Sequence, residues 1–190
     1  VSWGSPETID DYFSDGYYKA NSDIAVDSSN VPHVVYFAYT AGGSPSRNWR
    51  YANRTGGSWT TEAIATNGGG RGSIFIGSSG TLHTTYTDNF NGYVQYANKS
   101  IGGSWTLYSQ ISFYAGTGNG ASGLVNSSGN QFIAYADNGD LKVAKYNGSW
   151  SLEVVDSVNW VSSVPSMANN SFGYKYISYY DSTTMDLKYA

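Results

Sequence analysis

Arg50-Tyr51-Ala52-Asn53-Arg54-Thr55-Gly56-Gly57-Ser58-Trp59 decides the fold, because most of it returns further along the chain. Gln95-Tyr96-Ala97-Asn98 leads into Gly103-Ser104-Trp105, and Lys142-Val143-Ala144-Lys145 leads into Gly148-Ser149-Trp150. Leu187-Lys188-Tyr189-Ala190 repeats the first part alone, and Val1-Ser2-Trp3 repeats the last part alone. Two more blocks lie upstream of each copy. One reads Val34-Val35-Tyr36, Thr84-Thr85-Tyr86, Ile133-Ala134-Tyr135 and Ile177-Ser178-Tyr179. The other reads Asp23-Ile24-Ala25-Val26, Ser73-Ile74-Phe75-Ile76, Ser122-Gly123-Leu124-Val125 and Ser166-Met167-Ala168. Each unit is thus four short strands, called A to D here, punctuated by Gly, Asn and Asp turns. No apolar period of 3.6 residues survives the Gly and β-branched residues, so no long helix is expected.

Four-stranded units of about 46 residues are the signature of propeller blades, with strand A nearest the axis. The phase of the copies fixes the closure. Residues 3–9 read as an outer strand D, and Leu187–Ala190 reads as a strand C. The sequence therefore predicts an all-β protein, a four-bladed antiparallel β-propeller forming one domain over residues 1–190. Its last blade is completed by residues 1–10, with Trp3–Ile9 pairing on Leu187–Ala190. Closure of this kind hides sheet edges that would otherwise aggregate. It predicts a monomer; a strand-swapped dimer or two chains sharing an eight-bladed ring are the alternatives.

Composition narrows the function. With 10 Lys+Arg against 14 Asp+Glu, a net charge of -4 lacks the basic footprint of a nucleic-acid binder. The longest apolar stretch, Val34–Tyr39, falls far short of the roughly 18 residues of a membrane helix. Zero Cys rules out disulfides, thiolate zinc sites and a thiol nucleophile, and two His rule out His-rich metal sites. Only 13% of residues are charged while Ser, Thr, Asn, Gly and Tyr abound, the style of a secreted β-protein. No signal peptide opens the chain at Val1, so a mature or trimmed extracellular form is expected.

Residues that recur in register serve the blade, and exceptions are more informative. His33 and His83 share a column with Phe132 and Tyr176, which points to packing. Asp88, Asp137 and Asp181 open the B–C turns beside a column of Arg50, Gln95, Lys142 and Lys188, which suits turn capping and cross-strand pairing. The sequons at Asn53, Asn98 and Asn147 recur at one turn, so turn chemistry comes before glycosylation. The Trp and Tyr columns read as core between blades.

The D–A and B–C connections are the least repetitive text, and variable loops on a rigid scaffold carry function. They supply the candidate ligand-binding residues Tyr17, Tyr18, Arg71, Tyr114 and Trp160, together with Asp23, which stands where the other copies have Ser. A flat ring covers the apolar face of a pyranose while Asp, Asn and Arg take its hydroxyls. Asp23 and Arg71 are expected to pair near the channel mouth. The barrel-mouth alternative is that these rings merely cap seams.

The text of residues 177–190 and 53–64 resembles a bacterial propeller repeat family, a distant relative of the Asp-box (BNR-like) propellers of the sialidase group. The Asp of a true Asp-box is absent from Arg54-Thr55-Gly56-Gly57-Ser58-Trp59. In blade number the chain is similar to hemopexin-like domains, a resemblance that implies a ligand- or matrix-binding module, some with ions in the channel. The leading expectation is a secreted glycan-binding module whose partner is a glycan or a protein surface. A glycoside hydrolase with a carboxylate pair, such as Asp11, Asp15 or Asp23 facing Asp137 or Asp181, is the second. A structural or protein-interaction module is the third. No catalytic residue and no cofactor are assigned; an ion held by strand-A carbonyls and Asp23 in the central channel is the metal alternative.

Overall fold

The computed structural model describes residues 4–11, 16–40, 46–66, 68–88, 91–108, 111 and 120–190. Four antiparallel sheets follow one another about one axis, the four blades of a β-propeller. Blade 1 holds β1 (Tyr18–Val26), β2 (Pro32–Tyr39), β3 (Arg47–Asn53) and β4 (Thr60–Thr66). Blade 2 holds β5 (Gly68–Ile76), β6 (Leu82–Asp88), β7 (Val94–Lys99) and β8 (Thr106–Tyr108). Blade 3 holds β9 (Ala121–Val125), β10 (Gln131–Asp137), β11 (Asp140–Tyr146) and β12 (Trp150–Asp156). Blade 4 holds β13 (Val161–Asn169), β14 (Lys175–Asp181) and β15 (Asp186–Tyr189). Strand order within each sheet is sequential, as in a meander.

The A–B turns show why the sequence breaks where it does. Asp27, Asn126 and Asn170 each fold a side-chain oxygen back onto two backbone N–H groups further along the turn. Three residues later the chain takes a positive φ, at Asn30, Gly129 and Gly173, where Gly or Asn avoids the Cβ clash.

The core lies between blades. One cluster joins Val35, Trp49 and Tyr51 of blade 1 to Ile74, Leu82 and Tyr86 of blade 2. Another joins Phe75, Val94 and Tyr96 to Ile133 and Tyr135 of blade 3. A third joins Phe132, Leu141 and Val143 to Met167, Ile177 and Tyr179 of blade 4. Each sheet thus has a leading face, toward the preceding blade, and a trailing face, toward the next. His33 and His83 are buried on trailing faces, and each ring bonds a Tyr hydroxyl of its own blade at 2.6 Å (Tyr51 and Tyr96). Burial lowers the His83 pKa to about 4.

The Trp columns differ from expectation. Trp59, Trp105 and Trp150 are half-buried on the outer rim rather than core. Trp105 donates to Glu62 of the preceding blade, and its ring meets Tyr51 edge-on at 5.4 Å. Polar anchoring from the indole N–H favours this amphipathic position.

The inner strands pack in succession, β1 on β5, β5 on β9 and β9 on β13. At each step a side-chain oxygen takes a backbone N–H of the next inner strand. Asp23 accepts the Ile74 N–H at 2.9 Å, Ser73 accepts that of Gly123 at 3.1 Å, and Ser122 accepts that of Met167 at 3.1 Å.

The expected closing pair is not a ladder of the described residues, among which β15 has no strand on its outer side. Residues 4–11, which include Pro6 with no N–H to give, form no strand and are held by side chains on blade 1 instead. Glu7 accepts from Arg54 at 2.7 Å and from the Trp59 indole at 3.1 Å, repeating the Glu62, Lys99 and Trp105 arrangement of the next interface. Trp3 lies outside the described residues.

Candidate functional site

The D–A connections and B–C turns do meet on one rim. Between blades 3 and 4, Val161 N–H donates to Gly139 O at 2.7 Å, and Ser182 N–H donates to Trp160 O at 2.9 Å. Trp160 N–H donates to Thr183 Oγ1, fixing the indole against Gly139. The ring stays 57% exposed, so it is a surface group. Beneath it Asp181 is fully buried and accepts from Lys188, Asn159 and the backbone of Thr183 and Thr184. The Lys188 ammonium foremost, with these N–H donors, holds its carboxyl well below the usual carboxylate range.

The blade interfaces carry a second register on this rim. Ladder partners place Tyr36 opposite Arg50, Tyr86 opposite Gln95, Tyr135 opposite Lys142 and Tyr179 opposite Lys188. The last residue of the preceding outer strand completes each set. Tyr179 donates to Asp156 at 2.7 Å with Lys188 at 3.8 Å from the same carboxylate. The same geometry recurs where Tyr36 donates to Asp10 at 2.7 Å with Arg50 at 3.5 Å.

Blade 2 breaks the pattern. Ala65, opposite Trp49, stands where Asp156 stands opposite Leu141, and Gln95 replaces the cation. Removing both charges opens a cleft of about 410 Å³, lined by Ala65, Thr66, Gly68, Tyr86, Asp88, Gln95, Leu107 and Tyr108. Tyr86 is buried and stacks on Trp49 at 6.0 Å; burial, helped by nearby Asp88, pushes its pKa up to about 12. Its hydroxyl is therefore a neutral donor at ordinary pH. Leu107 and Tyr108 are exposed at the mouth, and Asn91 donates to Asp88 at 2.9 Å. An aromatic and apolar wall beside a neutral hydroxyl, an amide and a carboxylate suits a polyhydroxylated ligand.

The residues singled out from sequence scatter over the rim. Tyr17 is half-buried against Val34 and Tyr36. Tyr18 lies in β1, exposed, stacked on Tyr39 at 5.4 Å. Asp23 does not pair with Arg71; it fastens blade 1 to blade 2 through Ile74, because that N–H is nearer than any guanidinium. Arg71 is exposed in β5, its Cβ facing Gly120. Tyr114 lies outside the described residues. Trp160 is two blades from the cleft. Sequence reasoning missed Ala65, Tyr86 and Tyr108, although Gln95 was visible as the one neutral residue in a column of cations. Among the described residues no group of three or more His, Asp and Glu is disposed to hold a metal.

No protein-family model matches the chain, and no curated protein matches it. Solved structures do. A protein of unknown function from Dyadobacter fermentans superposes with a TM-score of 0.68 at 12% identity, over 87% of this chain and 50% of that one. The Aleuria aurantia lectin in complex with α-methyl-L-fucoside gives 0.62 at 17% identity, over 88% and 55%. An α-L-arabinofuranosidase from Fusarium graminearum with an iminosugar inhibitor gives 0.61 at 12% identity, over 90% and 60%. The chain thus spans 50% to 60% of these chains' lengths, and what it shares with them is the propeller fold.

Proposed function

We propose that this propeller is an extracellular carbohydrate-binding module whose sugar sits in the cleft between blades 1 and 2. The observation that carries the reading is the neutral gap at Ala65 and Gln95, in a register that Asp and Lys or Arg bridge at two other interfaces. Tyr108 offers a ring for a pyranose face, and Tyr86, Gln95, Asp88 and Thr66 offer hydroxyl partners. That a structural neighbour is a lectin solved with a fucoside supports the class of ligand, not its identity.

The hydrolase reading has less support. A general acid needs a carboxyl whose pKa is raised. Among the described residues, which leave out Asp15, the carboxylates with a resolved shift, Glu7, Asp27, Asp156 and Asp181, all move down, each held by hydrogen-bond donors.

A glycan array probed with the whole chain tests the reading. The methyl glycoside of the strongest hit, with α-methyl-L-fucoside as a fixed probe, is then titrated calorimetrically. Binding is expected to weaken about tenfold in Tyr86→Phe, the loss of one hydrogen bond. An array without signal, or hits indifferent to Tyr86→Phe and Gln95→Lys, would overturn the site.

A further inference from the structure

Three interfaces inside the molecule establish what a trailing face and a leading face look like when covered. Trp49, Val94 and Leu141 share one trailing column and are all 0% exposed, whereas Leu187 in that column is 81% exposed. Tyr51 and Tyr96 are 2% and 3% exposed, whereas Tyr189 is 79% exposed. The leading faces say the same from the other side. Ile74 and Met167 are 5% and 9% exposed, whereas Ile24 in the same column is 59% exposed. The trailing face of blade 4 and the Ile24 side of blade 1's leading face are therefore built to the pattern of an interface and exposed, while Ile9 and Tyr17 cover Val34 and Tyr36 on that leading face.

We propose that a second copy of this chain covers them, blade 4 of each chain packing on blade 1 of the other, so that two chains share one ring. What fits a leading face of this repeat is a trailing face of the same repeat, as three internal interfaces demonstrate. Blade 4 carries the matching polar fastening as well. Ser166 occupies the column of Asp23, Ser73 and Ser122, and the N–H it would take in the second copy is that of Ile24. The arm acts as an outer strand at this seam: Glu7 and Asp10 stand on blade 1 as the outer strand of a preceding blade stands on its follower, and among the described residues β15 has no strand on its outer side. The arc of the four blades matches half of a longer chain over 87% of its own length, which leaves room for as many blades again. Such a contact is head-to-tail, and it closes because the second seam repeats the first.

Size-exclusion chromatography with light scattering on the whole chain is the test. The expected mass is twice the 20.5 kDa of one chain. Ile24→Asp and Leu187→Asp alter exposed side chains only, and each is expected to raise the dimer dissociation constant at least tenfold with unchanged circular dichroism. Tyr189→Lys is the second trailing-face variant, should Leu187→Asp misfold. Mixing Ile24→Asp with Leu187→Asp restores one intact seam and is expected to give a heterodimer. A 20.5 kDa species overturns the proposal, whether its seam residues are solvent-accessible or protected by closure within one chain. Recovery of dimer absent from the mixture, or polymers growing with concentration, overturns it too.

Discussion

Gly123→Ala probes how closely two blades approach. An added Cβ at Gly123 would lie 2.1 Å from Phe75 Cε1, 2.5 Å from Cζ and 2.8 Å from Cδ1. Carbon atoms rest at about 3.5–4.0 Å, so ring or strand must give by about 1.5 Å. Phe75 has little freedom to do so. It is buried in the blade 2–3 cluster and stacks on His83 at 5.3 Å with the planes 7° apart, and His83 is held by Tyr96. If β9 retreats instead, the Gly123 N–H leaves Ser73. Overpacking costs about 1–3 kcal/mol and the lost hydrogen bond about 1 kcal/mol. A destabilisation of about 3 kcal/mol is expected, read from urea unfolding followed by tryptophan fluorescence. Phe75→Leu, combined with Gly123→Ala, should recover most of the overpacking part. A single Gly123→Ala chain within about 0.5 kcal/mol of wild type, the range of an inert surface change, would refute the close approach.

Four further outcomes follow from the same geometry. Between its unfolded pKa near 6.5 and its folded value of about 4, His83 is protonated only in the unfolded chain. Stability should therefore be flat above that window and fall through it as pH drops, by up to about 3 kcal/mol, and His83→Phe should flatten the profile in chemical denaturation across pH. Asp181, whose folded pKa is depressed, acts in a lower window: the advantage of wild type over Asp181→Asn should be full at pH 7 and shrink below about pH 4, measured by melting temperature. Trp160→Ala should leave the melting temperature nearly unchanged because the ring is exposed, while Trp105→Ala should lower it by removing the Tyr51 and Glu62 contacts. Ala65→Asp with Gln95→Lys should refill the cleft and abolish glycan binding in the array without unfolding the chain.

The blades were legible because their columns are letters: Trp59, Trp105 and Trp150 recur, and so do Tyr36, Tyr86, Tyr135 and Tyr179. The fastening of Asp23 was half legible. Its column was visible, but its partner is the backbone N–H of Ile74, and a backbone group leaves no letter to read. The cleft was hidden by register. A bulge between Trp49 and Arg50 shifts β4, so Ala65 meets the position of Asp156 only once the ladder is known. Tyr17 and Tyr18 looked like loop aromatics because the repeat text starts later; the structure extends β1 to Tyr18, which stacks within its own sheet.

The oxygens of Asp23, Ser73 and Ser122 have a mechanical consequence. A hub joined by a few short hydrogen bonds resists being pulled apart yet holds the angle between its parts only weakly. The angle from one blade to the next is then set outside the joint, by how thick a wedge of rings such as Trp49, Tyr86 and Phe75 lies between the sheets. Thickening the wedge by one ring turns the circle further at each step, and thinning it opens the curve. Gene duplication can therefore multiply this repeat without rebuilding the hub, and the number of copies that completes a turn becomes a property of a few wedge residues.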